Sequence, residues 1–313
     1  MDEYKKAIDE SEKGLSALII PDIFSLTHHL PNEKILLTDQ TTVILSNIEI
    51  TEKLFFVLLE KTKVTIGEWF SITEHVDSED CIREHSKARR SPFCLERSYG
   101  MVSNLTLENI ERMAPKSIGC SLEEVKLYNT CLINILPKLR INEDCKVKRL
   151  ELSGREKEHV ATILSQKQVI CVGSVGTMTL KEYAVSILPK LIIHEGHEIE
   201  LLELAATEKE HVAAILAQDK SFCDGRVRNI NLEEYAVFIF LRMKKVGESP
   251  ERLMLFVDGD DVWRKIQEEL KKEKTAICIE EVEDLILKKH AVNNLPALKT
   301  KREIDLFFFG CKQ

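Results

Sequence analysis

Aromatic residues make up only 6% of this chain, which excludes a core of aromatic clusters and leaves a hydrophobic share of 44%, chiefly Leu, Ile and Val, to fill the interior. No uninterrupted apolar run approaches the roughly 18 residues of a membrane span. No apolar secretory core follows Met1-Asp-Glu-Tyr-Lys-Lys, so a soluble, cytoplasmic chain with no membrane partner is expected. No C-x-x-C pair occurs among the nine cysteines, at 81, 94, 120, 131, 145, 171, 223, 278 and 311. An odd, dispersed set fits reduced thiols and argues against a disulfide framework. A basic surplus is also missing: 44 Lys and Arg face 52 Asp and Glu, for a net charge of −8. Nucleic acid is therefore not expected as a direct ligand, because phosphate binding draws its affinity from clustered cations.

Catalytic signatures are equally scarce. Neither G-x-x-x-x-G-K-[ST] nor G-x-S-x-G occurs, and no Cys and His are tied together by a motif. Asp258-Gly-Asp260-Asp261 has the carboxylate density of a magnesium site, but its place between a strand and a helix favours acids that cap the helix N-terminus. His194-Glu-Gly-His197 lacks the H-E-x-x-H spacing of zinc hydrolases and reads as a turn. No catalytic residue, metal ligand or cofactor is assigned.

What the chain does contain is a sentence written twice. Arg155-Glu-Lys-Glu-His-Val-Ala-Thr-Ile-Leu164 returns as Thr207-Glu-Lys-Glu-His-Val-Ala-Ala-Ile-Leu216, and Leu180-Lys-Glu-Tyr-Ala-Val185 returns as Leu232-Glu-Glu-Tyr-Ala-Val237. Ile-Leu-Pro-Lys-Leu at 135 to 139 recurs at 187 to 191, and all three phrases share an offset of 52 residues. His159 and His211 are copies within the first phrase. One offset common to three phrases points to stacked repeats.

Each repeat splits into two subunits that open on one apolar frame. Val147-x-x-Leu150-x-Leu152, Val175-x-x-Met178-x-Leu180, Ile199-x-x-Leu202-x-Leu204 and Val227-x-x-Ile230-x-Leu232 are spaced by 28, 24 and 28 residues. Weaker matches run outward through Leu122/Val125/Leu127, Val102/Leu105/Leu107, Phe70/Ile72, Leu45/Ile48/Ile50 and Leu18/Ile20, and through Leu253/Leu255, Ile277/Ile279 and Ile304/Leu306. The twelve expected strands step by about 26 residues on average, inside the roughly 20 to 29 of leucine-rich repeats.

The frame resembles the L-x-x-L-x-L opening of a leucine-rich repeat, and the alternating subunits with helical second halves are most similar to the ribonuclease-inhibitor type. Compact, degenerate repeats of this kind are also similar to leucine-rich proteins of microsporidia. The resemblance implies an α/β solenoid, a horseshoe with a parallel sheet on its concave face and helices on its convex face. It implies a non-enzymatic scaffold that binds a protein partner. Two other readings stay open on the same fold. One is a regulator of a GTPase similar to the Ran GTPase-activating proteins, whose functional arginine has no assignable counterpart here. The other is a ubiquitin-ligase substrate adaptor, whose F-box opening Leu30-Pro-Asn-Glu33 resembles, with too few residues before Ile48 to complete the box. The chain departs from the family in one respect. The Asn or Cys expected three places after the last Leu is replaced by Thr130, Arg155, Tyr183, Thr207 and Tyr235, so a regular asparagine ladder is absent.

In chain order, residues 1 to 14 form a polar cap, and 15 to 313 form one repeat domain of about twelve repeats. Leu15 to Ile20 is the first strand, stopped by Pro21, with a helix over Asp22 to Leu30. An irregular insertion over 77 to 93 is either a solvated helix or a partner-binding loop using Lys87, Arg89 and Arg90. Ser153 and Glu156, like Thr207 and Glu210, have capping-box spacing at helix starts. Strand alternation turns the middle residue of each frame outward, which assigns Glu49, Thr106, Lys126, Glu151, Thr179, Glu203, Asn231 and Asp305, joined by Tyr128, to the partner-binding face. Four of that set are acidic and one is basic, which suits a partner with a basic surface. Leu306-Phe-Phe-Phe309 should be an edge strand, with Phe307 and Phe309 available for contact.

Overall fold

In a computed structural model the described residues are 19–29, 34–77, 79–86, 91–98, 102–141, 146–192, 198–217, 226–242, 250–272, 277–278, 284–289, 298–299 and 305–309. The chain is an α/β protein. Where the repeat pattern alone implies one domain, it forms two compact units: Met1–Ser91, Val102–Ser121 and Lys138–Arg140 make the first, and Pro92–Met101, Leu122–Pro137 and Ile141–Gln313 make the second. Among the described residues no helix is long and apolar enough to cross a membrane. The 1–14 cap, the 30–33 segment, Lys87, Arg89, Arg90, His194 and His197 lie outside the described residues.

The second unit is built on a nine-stranded sheet in which every pairing is parallel. Its strands lie side by side in chain order: Phe93–Ser98, Leu122–Tyr128, Lys146–Gly154, Ser174–Glu182, Glu198–Ala206, Arg226–Glu234, Arg252–Val257, Asp284–Lys289 and Asp305–Phe309. The apolar frame sets the register. Val125, Leu150, Met178, Leu202, Ile230, Leu253 and Leu285 form one cross-strand row, and Leu127, Leu152, Leu180, Leu204, Leu232, Leu255 and Leu287 form another. Leu150, Leu152, Leu202 and Leu204 are all buried, as the frame requires. Two glycines show how tightly the strands meet their surroundings. A Cβ at Gly176 would stand 2.9 Å from the Lys148 carbonyl oxygen, and one at Gly154 would meet His159.

The connecting segments pack along the sheet in sequence: Lys157–His159 and Ala161–Ser165, then Tyr183–Lys190, then Glu210–Leu216, then Val237–Arg242. Glu210–Leu216 buries His211, Val212 and Ile215. The matching Cys131–Lys138 and Tyr183–Lys190 segments are 3₁₀ helices, each with its proline inside.

The short coils share a backbone feature. Asn129, Glu182 and Glu234 have positive φ values of 51°, 56° and 53°, and each directly follows or ends its strand in the sheet. They stand at the start of the short steps, from Leu127 to Leu152, Leu180 to Leu204 and Leu232 to Leu255, whereas Gly154 and Ala206, at the same place before long steps, have no positive φ. The side chains of the three positive-φ residues then act as acceptors for the next coil. Asn129 Oδ1 accepts from the Arg155 N–H at 3.1 Å, Glu182 Oε2 from the Thr207 N–H at 3.4 Å and Oγ1 at 2.7 Å, and Glu234 Oε1 from the Asp258 N–H at 2.7 Å. An Asn, Glu, Glu series on alternate strands thus supplies turn bonds in place of the missing asparagine ladder.

The other two repeated phrases carry similar brackets. Lys138 is buried and donates to the carbonyls of Glu111 at 3.3 Å and Met113 at 2.6 Å, at the end of the helix Asn104–Arg112, and burial lowers its pKa. Its copy Lys190 donates to the Gln166 carbonyl just after Ala161–Ser165. His159 Nδ1 lies 3.5 Å from the Glu156 N–H, and His211 Nδ1 lies 3.3 Å from the Glu208 N–H. His159 therefore holds the helix start that the spacing assigns to Ser153. Thr207 turns instead to Glu182, whose carboxylate lies 2.7 Å from His211 Nδ1 and engages the nitrogen that in His159 is the acceptor.

The first unit contains a three-stranded parallel sheet of Ile23–Leu26, Thr42–Leu45 and Lys63–Ile66. A second sheet has the order Leu139–Ile141, Ile118–Cys120, Ser71–Thr73, Ile48–Thr51 and Ile82–Glu84. Several expectations are corrected here. Ile19 makes only an isolated bridge to Ile35, and Ile23–Leu26 is a strand where a helix over 22 to 30 is expected. The frame at Val102 is not a strand, because Ser103 caps the helix Asn104–Arg112 by accepting from the Thr106 N–H at 3.2 Å, and Thr106, Asn109, Ile110 and Met113 form its buried face. Within the insertion, Ile82–Glu84 pairs antiparallel with Ile48–Ile50, and Phe93 begins a strand of the large sheet. Ile277–Cys278 pairs with Leu298–Lys299 in a small sheet, so the large sheet takes Asp284–Lys289 instead.

Buried Asn109 ties the first unit together. Its amide donates to the carbonyls of Leu59 and Thr62 at 3.0 and 2.7 Å and accepts from the Val64 N–H at 2.9 Å, closing the C-terminus of the helix Glu52–Lys61.

Substitutions at two positions test these roles. Leu202→Ala should cost about 2 to 5 kcal/mol through lost burial and a residual cavity. Glu182→Ala should cost about 0.5 to 1.5 kcal/mol by removing these solvent-exposed bonds, whereas Glu182→Gln, which keeps an acceptor at the same reach, should cost less. Urea denaturation of the three variants checks both, and equal losses for Ala and Gln at 182 would contradict the bracket.

Candidate binding face

Position along the strand decides which side chains share the outward face of the large sheet. Between the two apolar rows runs a polar one: Glu96, Lys126, Glu151, Thr179, Glu203, Asn231 and Met254 are cross-strand neighbours in that order. Five of the residues assigned from the sequence, Lys126, Glu151, Thr179, Glu203 and Asn231, are therefore brought together in one line. Tyr128 stands in the adjacent row, opposite Ser153.

Three assigned residues leave the set. Glu49 lies in Ile48–Thr51 of the first unit and is only 7% exposed. Thr106 sits on a helix, 4% exposed, with its hydroxyl donating to the Leu59 carbonyl at 3.2 Å. Asp305 is paired with Asp284, a row away, and the polar row is continued by Ile286 and then Phe307. The frame is displaced there because Ile304 and Leu306 are not its apolar pair; Leu306 and Phe308 match Leu285 and Leu287. Asp305–Phe309 is the terminal strand of the sheet, as expected, and Phe309 pairs with Lys288.

Neighbouring strands supply the partners within the polar row. Glu203 Oε2 accepts from Thr179 Oγ1 at 2.9 Å, and its Oε1 accepts from Asn231 Nδ2 at 3.0 Å. Glu151 accepts from the Tyr128 hydroxyl on one oxygen and faces Arg149 Nη1 at 3.3 Å with the other. Lys126 pairs with Glu124, which raises the pKa of the lysine and lowers that of the glutamate. Exposed pairs of this sort add little stability. They fix side-chain directions.

Charge along the face is locally balanced but uneven. Arg252 meets Asp284 at 2.9 Å, and Arg228 meets Glu198 at 3.2 Å and Glu251 at 3.3 Å. Glu203 differs: the hydrogen bonds it accepts from Thr179 and Asn231 come from neutral donors. Tyr128 reports the local field. Burial, and then its bond to the Glu151 carboxylate, push the phenol well above its ordinary value of 10.

Sequence reasoning passes over Glu96, because Arg97 stands where the frame has its last Leu: Leu95 pairs with Val125 and Arg97 with Leu127. The alternation of Phe93 and Leu95 is the one signal that could have found it.

The raised phenol is open to direct measurement. In an ultraviolet pH titration of the five tyrosines, one should resist ionisation past its ordinary range. That component should vanish in Tyr128→Phe and move down in Glu151→Gln, which removes the anionic acceptor. A titration identical in wild type and Glu151→Gln would contradict the pairing. No family model matches this chain, and neither a curated protein nor a solved structure matches it.

Proposed function

We propose that the chain is a leucine-rich-repeat solenoid of the ribonuclease-inhibitor type that works as a non-enzymatic, cytoplasmic scaffold, binding a protein partner on the outward face of the nine-stranded sheet. Support comes from the in-register parallel strands, which present one side chain per coil at a repeating strand spacing of about 4.8 Å, and from repeats that hold this row on a stacked frame. The observation that carries the proposal is Glu203. Its carboxylate is oriented by neutral donors, Thr179 and Asn231, from both flanking strands and lies in line with Glu151 and Glu96 against the row's single cation, Lys126.

A partner that fits this row offers Lys or Arg at its surface. Preorganised carboxylates lower the entropy of ordering on binding, and complementary charge acts chiefly on the association rate and is screened by salt. Lys126, Tyr128, Glu151, Glu203 and Asn231 form the contact set, while Thr179, only 7% exposed, orients Glu203.

The test is affinity capture from native extract with mass spectrometry, at low and moderate salt. Wild type should retain a defined protein whose capture falls with salt. Glu203→Gln should weaken it and Glu151→Lys with Glu203→Lys should abolish it. Unaltered capture by the folded double variant would remove the binding site from this face.

A further inference from the structure

Two cysteines of the described residues, Cys81 and Cys94, are exposed, and their surroundings are opposite in kind. Cys94 Sγ points to the Glu124 carboxylate at 3.9 Å, and burial together with Glu124, Glu96 and Glu123 raises its pKa against the lowering effect of Lys126. That thiol is held in its unreactive, protonated form. Cys81 instead meets an imidazole: its Sγ lies 3.8 Å from His75 Nδ1, and His75 Nε2 lies 3.2 Å from Asp77 Oδ1.

The order of these three groups matters. Asp77 Oδ1 stands 3.2 Å from Nε2, and with the proton on that nitrogen Nδ1 is the acceptor that faces the thiol. The same sequence of nucleophile, base and orienting carboxylate activates thiols and hydroxyls elsewhere in protein chemistry. His75 is shielded, with 21% of its side chain exposed, while Asp77 is 99% exposed.

The surrounding backbone is fixed to the first unit. The Thr51 N–H donates to the Cys81 carbonyl at 3.0 Å, and the Glu79 N–H closes a turn on the Val76 carbonyl at 3.0 Å. Cys81 directly precedes Ile82–Glu84, which pairs with Ile48–Ile50. The nearby charges are Glu79 and Asp80 on one side and Arg83 on the other. Arg83 pairs with the Glu79 carboxylate and donates to the Asp80 carbonyl at 3.2 Å.

We propose that Cys81 is a covalent modification site that exchanges with small disulfides, with His75 as its base and Asp77 as the group that positions His75. In the exchange the Cys81 thiol passes its proton to His75 Nδ1, and Sγ attacks one sulfur of the incoming disulfide. A new S–S bond forms to Cys81 as the old one breaks. The departing thiolate takes the proton back from His75, so one thiol and one disulfide give one mixed disulfide and one thiol. No further oxidant is required. The site is independent of the proposed binding face, since it uses none of its residues.

Oxidised glutathione added to the reduced full-length chain tests the proposal, with each cysteine followed by peptide mass spectrometry over time. Cys81 should form its mixed disulfide at least about ten times faster than Cys94, the modest end of what a positioned base contributes. His75→Gln should bring Cys81 down toward the rate of Cys94, and Asp77→Asn should slow it by a smaller factor. Because Asp77 is almost wholly exposed, Asp77→Asn leaves the fold intact and decides the matter if His75→Gln unfolds. Cys81 reacting no faster than Cys94 would overturn the proposal, as would a fast Cys81 unchanged in both variants.

Discussion

The structure depends on pairing the backbone groups left over wherever the chain leaves one strand and turns toward the next. Parallel strands cannot be joined by tight hairpins, so every crossover has corners where N–H and C=O groups fall outside both sheet and helix. Burying them unpaired costs roughly 1 to 3 kcal/mol each. Each of the three repeated phrases places one polar side chain at such a corner. Glu182 and Glu234 accept from the following coil, Lys138 and Lys190 donate to the end of the preceding helix, His159 holds a helix start, and His211 faces the Glu182 carboxylate. Each repeated phrase thus carries one residue that fastens one coil to the next, among identical positions that are mostly apolar.

The positive-φ residues add a second consequence. A non-glycine residue with positive φ is strained, yet Asn129, Glu182 and Glu234 are placed there on alternate strands. Their acceptor bonds fasten the coil that follows. The 52-residue period pairs one short coil, which begins on a positive-φ residue, with one long coil that does not.

Fixing the corners also fixes the face. Once the apolar rows on either side are in register, the polar row from Glu96 to Asn231 has no freedom to slip, since a shift of one residue would turn buried leucines outward. Side-chain bonds between adjacent strands then set the direction of Glu151 and Glu203. The first unit is organised by other means: Asn109 closes a helix end, and one antiparallel strand, Ile82–Glu84, completes its sheet beside the Cys81 loop.

The period, the apolar frame from Leu122 to Leu255 and the line of outward residues upon it are all legible in the residue order, because strand alternation is a local rule that each frame states in full. So is the place of the last strand at an edge. The phrases can be read as repeats but not as brackets, since what Glu182, Lys190 and His211 touch lies one coil away and depends on how the coils stack. Packing settles the cases where one apolar pattern serves two geometries. Val102, Leu105 and Leu107 fit a strand as written, and the Ser103 cap with the buried faces of Asn109 and Ile110 makes the segment helical. Glu49 follows the outward rule within its strand but is buried in the first unit, because alternation says which side of a sheet a residue takes and only packing says whether that side meets water.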